Sequence, residues 1–289
     1  MNAIPLLMLA MLATLGIALT GRAAGRRQAD PQVMTLVQLG VMTLISGAWI
    51  AAVPSLRASA TQTPPRVLGI LFAGGIGLAL GNFCYLRALA RGPTGLVLIL
   101  VGLSILVPTT TSILFFGDAL STGQVLGCGF ALIAMVLMNA QKEEKKPGMP
   151  VRWTTLALGA MLLLGLYQTE GKHFQVAAPS ASDQLFIGGS GFFAVLTSLG
   201  LTLAAGRKPR RAEIGFGAGL GSLGLIQMLC ILAAQRSLPV SIVYLTVLGG
   251  GPILMLILAT TLLHERYSRH VWVGAVLGIL GICLMLMPG

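Results

Sequence analysis

Two amide side chains stand at matching positions in two similar stretches of this sequence. Asn82 precedes Arg91 by nine residues, and Gln227 precedes Arg236 by the same interval. Each arginine ends a long apolar stretch, so at ~1.5 Å per residue each amide lies roughly 13 Å inside that boundary. Half of a ~30 Å hydrocarbon layer is about 15 Å, which places both amides near the middle of a bilayer. There they can hydrogen-bond a polar solute without burying a charge. Hydrogen bonding between packed helices is the alternative interpretation.

Three tyrosines add aromatic chemistry to these amides. Tyr85 lies one helical turn from Asn82 and on the same helix face, while Tyr167 and Tyr244 belong to later apolar stretches. An aromatic ring can stack on the apolar body of a solute while its hydroxyl bonds a polar end. Placement at the membrane interface is the competing explanation. We interpret Asn82, Tyr85, Tyr167, Gln227 and Tyr244 as candidate substrate-binding residues.

Glu170 is the candidate for a buried ionisable group. A carboxylate inside a membrane is costly, so its presence indicates function by default. It could take up a coupling proton or an ion, or pair with the amine of a substrate. Lys172 and His173 follow directly, so a solvated pair at the membrane boundary is the alternative.

No group of residues is typical of catalysis or metal binding. The cysteines and histidines stand singly, at Cys84, Cys128, Cys230, Cys283, His173, His264 and His270. Neither a metal-ligand spacing nor a disulfide framework is present. A membrane enzyme that modifies lipids would need clustered histidines or carboxylates. We therefore predict no catalytic residue, no metal and no cofactor, and we expect the chain not to be an enzyme.

The elements that position these residues follow from composition. The chain has 289 residues, of which 55% are hydrophobic and 9% charged. A soluble domain carries roughly 25% charged residues, so the composition indicates a multi-pass membrane protein. The net charge of +11 lies in loops and predicts no nucleic-acid partner. Segments of spanning length are 4–21, 33–53, 67–90, 94–116, 121–139, 152–171, 184–205, 212–235, 239–263 and 270–287.

An internal duplication organises these ten segments. The pattern Asp118-x-x-Ser121-x5-Gly127 returns as Glu265-x-x-Ser268-x5-Gly274, and repeats of this size decide the fold. We divide the chain into a first repeat (1–140), a charged linker (141–151) and a second repeat (152–289). Because five is an odd number, two five-helix repeats of one fold must face opposite ways. Such inverted repeats usually hold a substrate site between them near the midplane. A chain that contains both orientations is expected to be a monomer.

Glycine and proline mark two segments that could bend. Pro removes a backbone hydrogen bond and kinks a helix, which a membrane tolerates beside a cavity. Gly102 and Pro108 in the fourth segment, with Gly250 and Pro252 in the ninth, are candidate hinges. A static kink that improves packing is the alternative.

The loop charges predict an orientation. The first segment lacks the basic stretch of a signal peptide, so we expect it to be kept as a spanning helix. Fifteen Lys and Arg residues follow the odd-numbered segments, against four on the opposite side. The positive-inside rule then places both termini outside the cytoplasm.

Three runs resemble the drug/metabolite transporter superfamily, specifically its ten-helix EamA-type branch. They are Tyr85-Leu-Arg-Ala-Leu-Ala-Arg91-Gly-Pro, Phe116-Gly-Asp118-Ala-Leu-Ser121, and His264-Glu265-Arg-Tyr-Ser268 followed by Gly274. The resemblance implies a carrier in the bacterial inner membrane, commonly an exporter of amino acids, related metabolites or drugs, with a central cavity. It also implies that both termini are cytoplasmic, opposite to the charge count. We expect alternating access of the two repeats to a small amphipathic substrate. The alternatives are a flippase for a lipid-linked substrate and a lipid-modifying enzyme.

Overall fold

The chain folds into helices joined by short turns. The computed structural model describes residues 3–91, 101–115, 117, 121–139, 152–240, 242–244, 246–248, 250, 254 and 269–286, and no strand occurs in these ranges. The long helices are α1 (Ala3–Arg26), α2 (Pro31–Ala52), α3 (Val67–Arg91), α4 (Leu106–Phe115), α5 (Thr122–Asn139), α6 (Arg152–Ala177), α7 (Asp183–Ala204), α8 (Arg211–Gln235), α9 (the helical residues described from 240 to 254) and α10 (Arg269–Leu286).

Where the structure describes them, helix ends agree closely with the predicted segments except in α1 and α6. The predicted start of the fourth segment (94) and end of the ninth (263) lie outside the described residues. The predicted 4–21 becomes Ala3–Arg26, and the predicted 152–171 becomes Arg152–Ala177. Both helices run on because backbone hydrogen bonds continue after the side chains turn polar. A short helix, Pro54–Thr61, is too polar for hydropathy to find, and a 3₁₀ turn, Leu103–Ile105, leads into α4. Pro252, Asp118, Glu265, the linker 141–151 and the side chain of Arg91 lie outside the described residues.

Among the residues that the structure describes, five helices are long and apolar enough to cross a membrane. They are α1, α2, α3, α7 and α8, with mean hydropathies from 1.6 to 2.2. Helix α6 has 26 residues but does not reach this apolarity. It carries the polar stretch 167–170, followed by Lys172 and His173, and these residues lower its mean hydropathy.

Helix packing follows a pseudo-twofold relation between the repeats. The principal contacts are α1 with α8, α3 with α6, α2 with α8, and α3 with α7, together with α2 against α7 and α5 against α10. When each helix is replaced by its counterpart in the other repeat, five helices along the chain, every contacting pair becomes another of these six pairs or remains the same pair. Local geometry repeats as well, because Thr20 donates to the carbonyl of Gly16 and Thr169 to that of Gly165. The two halves are therefore one unit used twice.

Glycines let the repeats approach backbone to backbone. A Cβ on Gly75 of α3 would lie 2.5 Å from the carbonyl oxygen of Ser190 in α7. The counterpart is Gly221 of α8, where a Cβ would lie 2.6 Å from the carbonyl oxygen of Gln38 in α2. Small residues allow such close contacts between membrane helices.

Contacts between turns define two faces of the molecule. At face A, the turn before α2 meets the turn before α8, with 3.4 Å between Arg207 Nε and Asp30 Oδ2. At face B, the hydroxyl of Ser59 donates to the carbonyl of Ser180 at 3.2 Å. Helix α1 begins at face B and ends at face A.

Candidate functional site

Buried and half-buried polar side chains from both repeats meet between α6, α8, α9 and the turn before α4. The Tyr244 hydroxyl donates to the carbonyl of Gln168 at 3.4 Å, and the Gln168 amide donates to Ser104 Oγ at 3.4 Å. The Gln235 amide lies beside the Tyr244 hydroxyl without hydrogen-bond geometry. Together with Tyr167, these residues form the polar cluster. Tyr167 is about ten residues from the end of α6, or roughly 15 Å inside face B.

Several atoms of the polar cluster have no partner within the described parts of the chain. They are the Tyr167 hydroxyl, which lies beside the Ser190 side chain without hydrogen-bond geometry, Gln168 Oε1 and both polar atoms of the Gln235 amide. Tyr167 is 6% exposed and Gln235 is 2% exposed. An unsatisfied buried polar group costs about 1–3 kcal/mol. The cluster thus retains unused capacity to bind a polar molecule.

An aromatic stack holds Tyr167 in place. Its ring stacks on Phe186 of α7, with centroids 5.5 Å apart and an interplanar angle of 21°. Phe186 in turn contacts Phe174 at 5.5 Å. Phe174 and Phe186 are fully buried, so the packing of these rings fixes the position of the Tyr167 hydroxyl.

The two amides predicted from spacing take different places. Gln227 Nε2 donates to Thr14 Oγ1 at 2.7 Å and so joins α8 to α1, which is the interhelical contact anticipated as the alternative. Asn82 is half-buried on α3. Tyr85 packs with Ala88 and Trp153 in a separate apolar cluster. Of the five candidates, the structure brings only Tyr167 and Tyr244 together in the polar cluster.

Glu170 forms a local pair. Its Oε2 lies 3.5 Å from Nδ1 of His173, and the two side chains are 23% and 54% exposed. Its Cβ lies 3.6 Å from where a Cβ on Gly74 of α3 would be. Because α6 continues to Ala177, Glu170 lies inside the helix and not at its end. Its role in coupling and its placement at the membrane boundary both stay predictions.

The candidate hinges lie where α4 and α9 contact neighbouring helices. Gly102 precedes the 3₁₀ turn, and Pro108 is buried three residues into α4. Having no N–H, Pro108 cannot bond the Ser104 carbonyl, and a Cβ on Gly165 would lie 2.7 Å from that oxygen. A Cβ on Gly250 would collide with Met11. These contacts explain the glycines by packing, and whether the helices bend stays a prediction.

At face B an ion pair lies next to the polar cluster. Arg236 binds Asp183 through two contacts, Nη2 to Oδ1 at 2.6 Å and Nε to Oδ2 at 3.1 Å. Gln175 Nε2 donates to Asp183 Oδ1 at 3.2 Å and to the carbonyl of Leu232 at 2.9 Å. Hydrogen bonding to Asp183 raises the pKa of Arg236, so the guanidinium stays charged. We call Gln175, Asp183 and Arg236 the face B latch.

Neither the latch nor Gln168, Gln235 and Ser104 were predicted. Arg236 was noted as the end of the eighth segment, and Asp183 directly precedes the seventh. Two opposite charges at the ends of neighbouring segments were therefore the signal from which this ion pair could have been predicted. Spacing along one helix cannot find a contact between two helices.

At face A, a buried carboxylate ties two turns together. Glu213 is 3% exposed, and it accepts the backbone N–H of Asp30 at 3.0 Å and of Arg210 at 2.8 Å. The bond to Arg210 caps α8, and the bond to Asp30 reaches the other repeat. Glu213 thus has a structural role.

A groove among the described residues is lined by apolar side chains alone. This groove of about 290 Å³ lies between the turn before α4 and α5, lined by Leu103, Leu132, Ile133, Val136 and Leu137. It offers no polar group to orient a solute. Over the described ranges, no three His, Cys, Asp or Glu residues converge on a metal position.

Comparison with known proteins identifies the family. The model of the EamA-like transporter family matches residues 2–140 and again residues 151–287. The chain belongs to the EamA-like transporter family. This family is part of the drug/metabolite transporter superfamily, so the chain is a multi-pass membrane transporter of that type. The family predicted from the sequence and the ten-helix fold of two inverted repeats are confirmed.

A solved structure supports the fold of this EamA-like transporter. A crystal structure described only as that of a protein aligns with 99% of this chain and 96% of its own, at 17% identity and a TM-score of 0.77. At that identity the likeness concerns the fold alone. No curated protein matches the sequence.

Proposed function

We propose that this EamA-like transporter is a secondary carrier that exports small amphipathic metabolites, such as amino acids, across the bacterial inner membrane by alternating access. One observation carries the proposal. The polar cluster joins both repeats inside a largely apolar chain, and several of its atoms have no hydrogen-bond partner among the described residues. In a bilayer such atoms need an internal partner, which a polar solute supplies when it binds.

The chemistry of the cluster suits an amphipathic solute. Tyr244, Gln168 and Gln235 offer neutral donors and acceptors, while Tyr167 adds an aromatic surface. A solute that keeps one polar end and one apolar body matches this arrangement. Glu170 is our candidate for proton coupling or for pairing with a substrate amine, and the chain works as a monomer because it contains both repeats.

The apolar groove favours one alternative function, a flippase. A flippase for a lipid-linked substrate needs an apolar groove that accepts an acyl chain, and the groove between the turn before α4 and α5 has such a lining. Transfer of a fluorescent lipid-linked substrate between leaflets of proteoliposomes tests this function. Transfer equal to that in protein-free liposomes rejects it.

Counterflow in proteoliposomes tests the carrier. We expect saturable exchange of at least one labelled amino acid from a panel. That exchange should disappear when Tyr167→Phe and Tyr244→Phe are combined, because both hydroxyls are then missing from the cluster. Tyr85→Phe is the matched control, since it removes a hydroxyl outside the cluster, and it should keep exchange.

The possible outcomes distinguish an error in the binding site from an error in the substrate class. Exchange that survives the double substitution in a folded protein refutes the polar cluster as the site. Loss of exchange in Tyr85→Phe alone moves the site toward Asn82. Absence of exchange for every amino acid refutes the substrate class, and the panel then extends to other amphipathic metabolites.

A further inference from the structure

We propose that face A binds the phosphate headgroup of an anionic phospholipid where the turn before α2 meets the turn before α8. The groups that hold it are exposed cations from both repeats, and we call them the face A basic patch: Arg27, Arg207, Lys208, Arg210 and Arg211. This lipid site lies apart from the polar cluster. The inference therefore does not depend on which solute the protein transports.

The fold brings these cations together from two distant parts of the chain. Glu213 accepts the backbone N–H of Asp30 at 3.0 Å and another from the turn before α8 at 2.8 Å, so both turns share one carboxylate. Arg207 Nε lies 3.4 Å from Asp30 Oδ2. The guanidinium of Arg27 lies 5.8 Å from the ring centroid of Phe216 in α8. Positive charge from both repeats is therefore concentrated at one place.

The carboxylates of these turns are already engaged. Glu213 is 3% exposed and is occupied by two backbone N–H groups. Asp30 accepts the N–H of Gln32 through Oδ1 and pairs with Arg207 through Oδ2. Within the described ranges, no ion pair reaches the other four cations of the patch. These four charges are available to an anion from outside the chain.

The cations of face B are arranged differently. Arg236 is bound to Asp183 in the face B latch. Arg57, Arg66 and Lys172 belong to three different elements, the short helix Pro54–Thr61, the turn before α3 and α6. Loop charge sets the orientation of a membrane protein however its loops pack. A binding site requires cations side by side, and the basic patch at face A meets that requirement.

The position of the patch favours a lipid over a soluble anion. It lies at the ends of α1, α7 and α8, which are long and apolar enough to cross a membrane, so it is at the depth of the headgroups. Clustered cations next to spanning helices attract anionic headgroups. A guanidinium binds two phosphate oxygens at once. A headgroup held by both turns bridges the two repeats and stabilises their contact.

Native mass spectrometry of the full chain tests this site. The protein is stripped of lipid in detergent and mixed with phosphatidylglycerol or with phosphatidylcholine that carries the same acyl chains. We expect the first phosphatidylglycerol to bind at least about tenfold more tightly than phosphatidylcholine, because each nearby cation strengthens the attraction about fivefold. Bound phosphatidylglycerol should also raise the melting temperature, since a ligand of the folded state stabilises it.

The patch variant combines Lys208→Gln, Arg210→Gln and Arg211→Gln. Its preference for phosphatidylglycerol should fall at least about tenfold, since three charges are removed, and the lipid should no longer raise its melting temperature. Without lipid it should melt at or above the unmodified protein, because cations at the start of a helix are unfavourable. A purely structural role of these side chains would instead lower melting with and without lipid.

The matched control removes three cations at face B, through Arg57→Gln, Arg66→Gln and Lys172→Gln. It has the same net charge as the patch variant and should keep the preference for phosphatidylglycerol. A fall of the preference in this control equal to that in the patch variant would mean that net charge decides binding, and would overturn the inference.

Three other results also refute the proposal. They are equal binding of the two lipids by the unmodified protein, an unchanged preference in the patch variant, and a purely structural effect on melting. Inorganic phosphate that displaces phosphatidylglycerol at an equal concentration would identify a soluble anion and reject the lipid. If the patch variant does not fold, Arg27→Gln leaves α8 unchanged and must weaken the preference about fivefold.

Discussion

Gly165→Ala tests the close contact between α6 and the turn before α4. A Cβ at this position would lie 2.7 Å from the carbonyl oxygen of Ser104 and 2.7 Å from Val107 Cβ. Both distances are about 0.7 Å short of the 3.4 Å at which ordinary contact begins. One neighbour is backbone and the other is a branched Cβ, so neither can move aside by changing rotamer. The helices must separate.

Gly159→Ala provides the matched control. Gly159 lies on the same helix, and a Cβ there would be 3.9 Å from Cys84 Sγ, in ordinary contact. Both substitutions gain the same helix preference of about 0.5–1 kcal/mol, which cancels between them. The overpacking cost of roughly 1–3 kcal/mol remains for Gly165→Ala alone.

Thermal melting in detergent measures the difference. At about 2–4 °C per kcal/mol for a chain of this size, Gly165→Ala should melt roughly 2–12 °C below Gly159→Ala. Gly159→Ala should melt at or slightly above the unmodified protein. Equal melting temperatures for the two variants would mean that α6 and the turn before α4 do not approach this closely, and the reasoning would be wrong.

Two further predictions concern contacts between the repeats. Gln227→Ala and Thr14→Val should each destabilise the protein by about 1 kcal/mol, because each removes the same interhelical hydrogen bond. The double variant should therefore be little less stable than either single variant in a double-mutant cycle of melting temperatures. Additive losses of stability would rule out the hydrogen bond. Glu213→Gln should cost about 1–3 kcal/mol, because the amide keeps one acceptor oxygen and its –NH₂ group cannot accept the second backbone N–H. Glu170→Gln affects only a half-exposed pair between neighbouring turns of one helix and should change melting little. An equal effect of the two would refute the structural role of Glu213.

The sequence by itself determined the class, the repeat and most helix ends. Few charges and long apolar segments leave only spanning helices as a solution, because a bilayer satisfies no backbone hydrogen bond. The interval from Asn82 to Arg91 and its copy at Gln227 revealed the duplication, and five helices per repeat require inversion. All of these properties are local or periodic, so they can be read along one chain.

Only the tertiary structure decided which polar residues meet. Spacing suggested that Asn82 and Gln227 share a site, but Gln227 bonds Thr14, and the polar cluster forms around Tyr167 and Tyr244. The Asp183–Arg236 pair likewise joins residues 53 positions apart in the chain. Such pairings depend on the rotation and depth of each packed helix. Apolar segments without a polar face leave both undetermined, because lipid and protein neighbours are equally apolar.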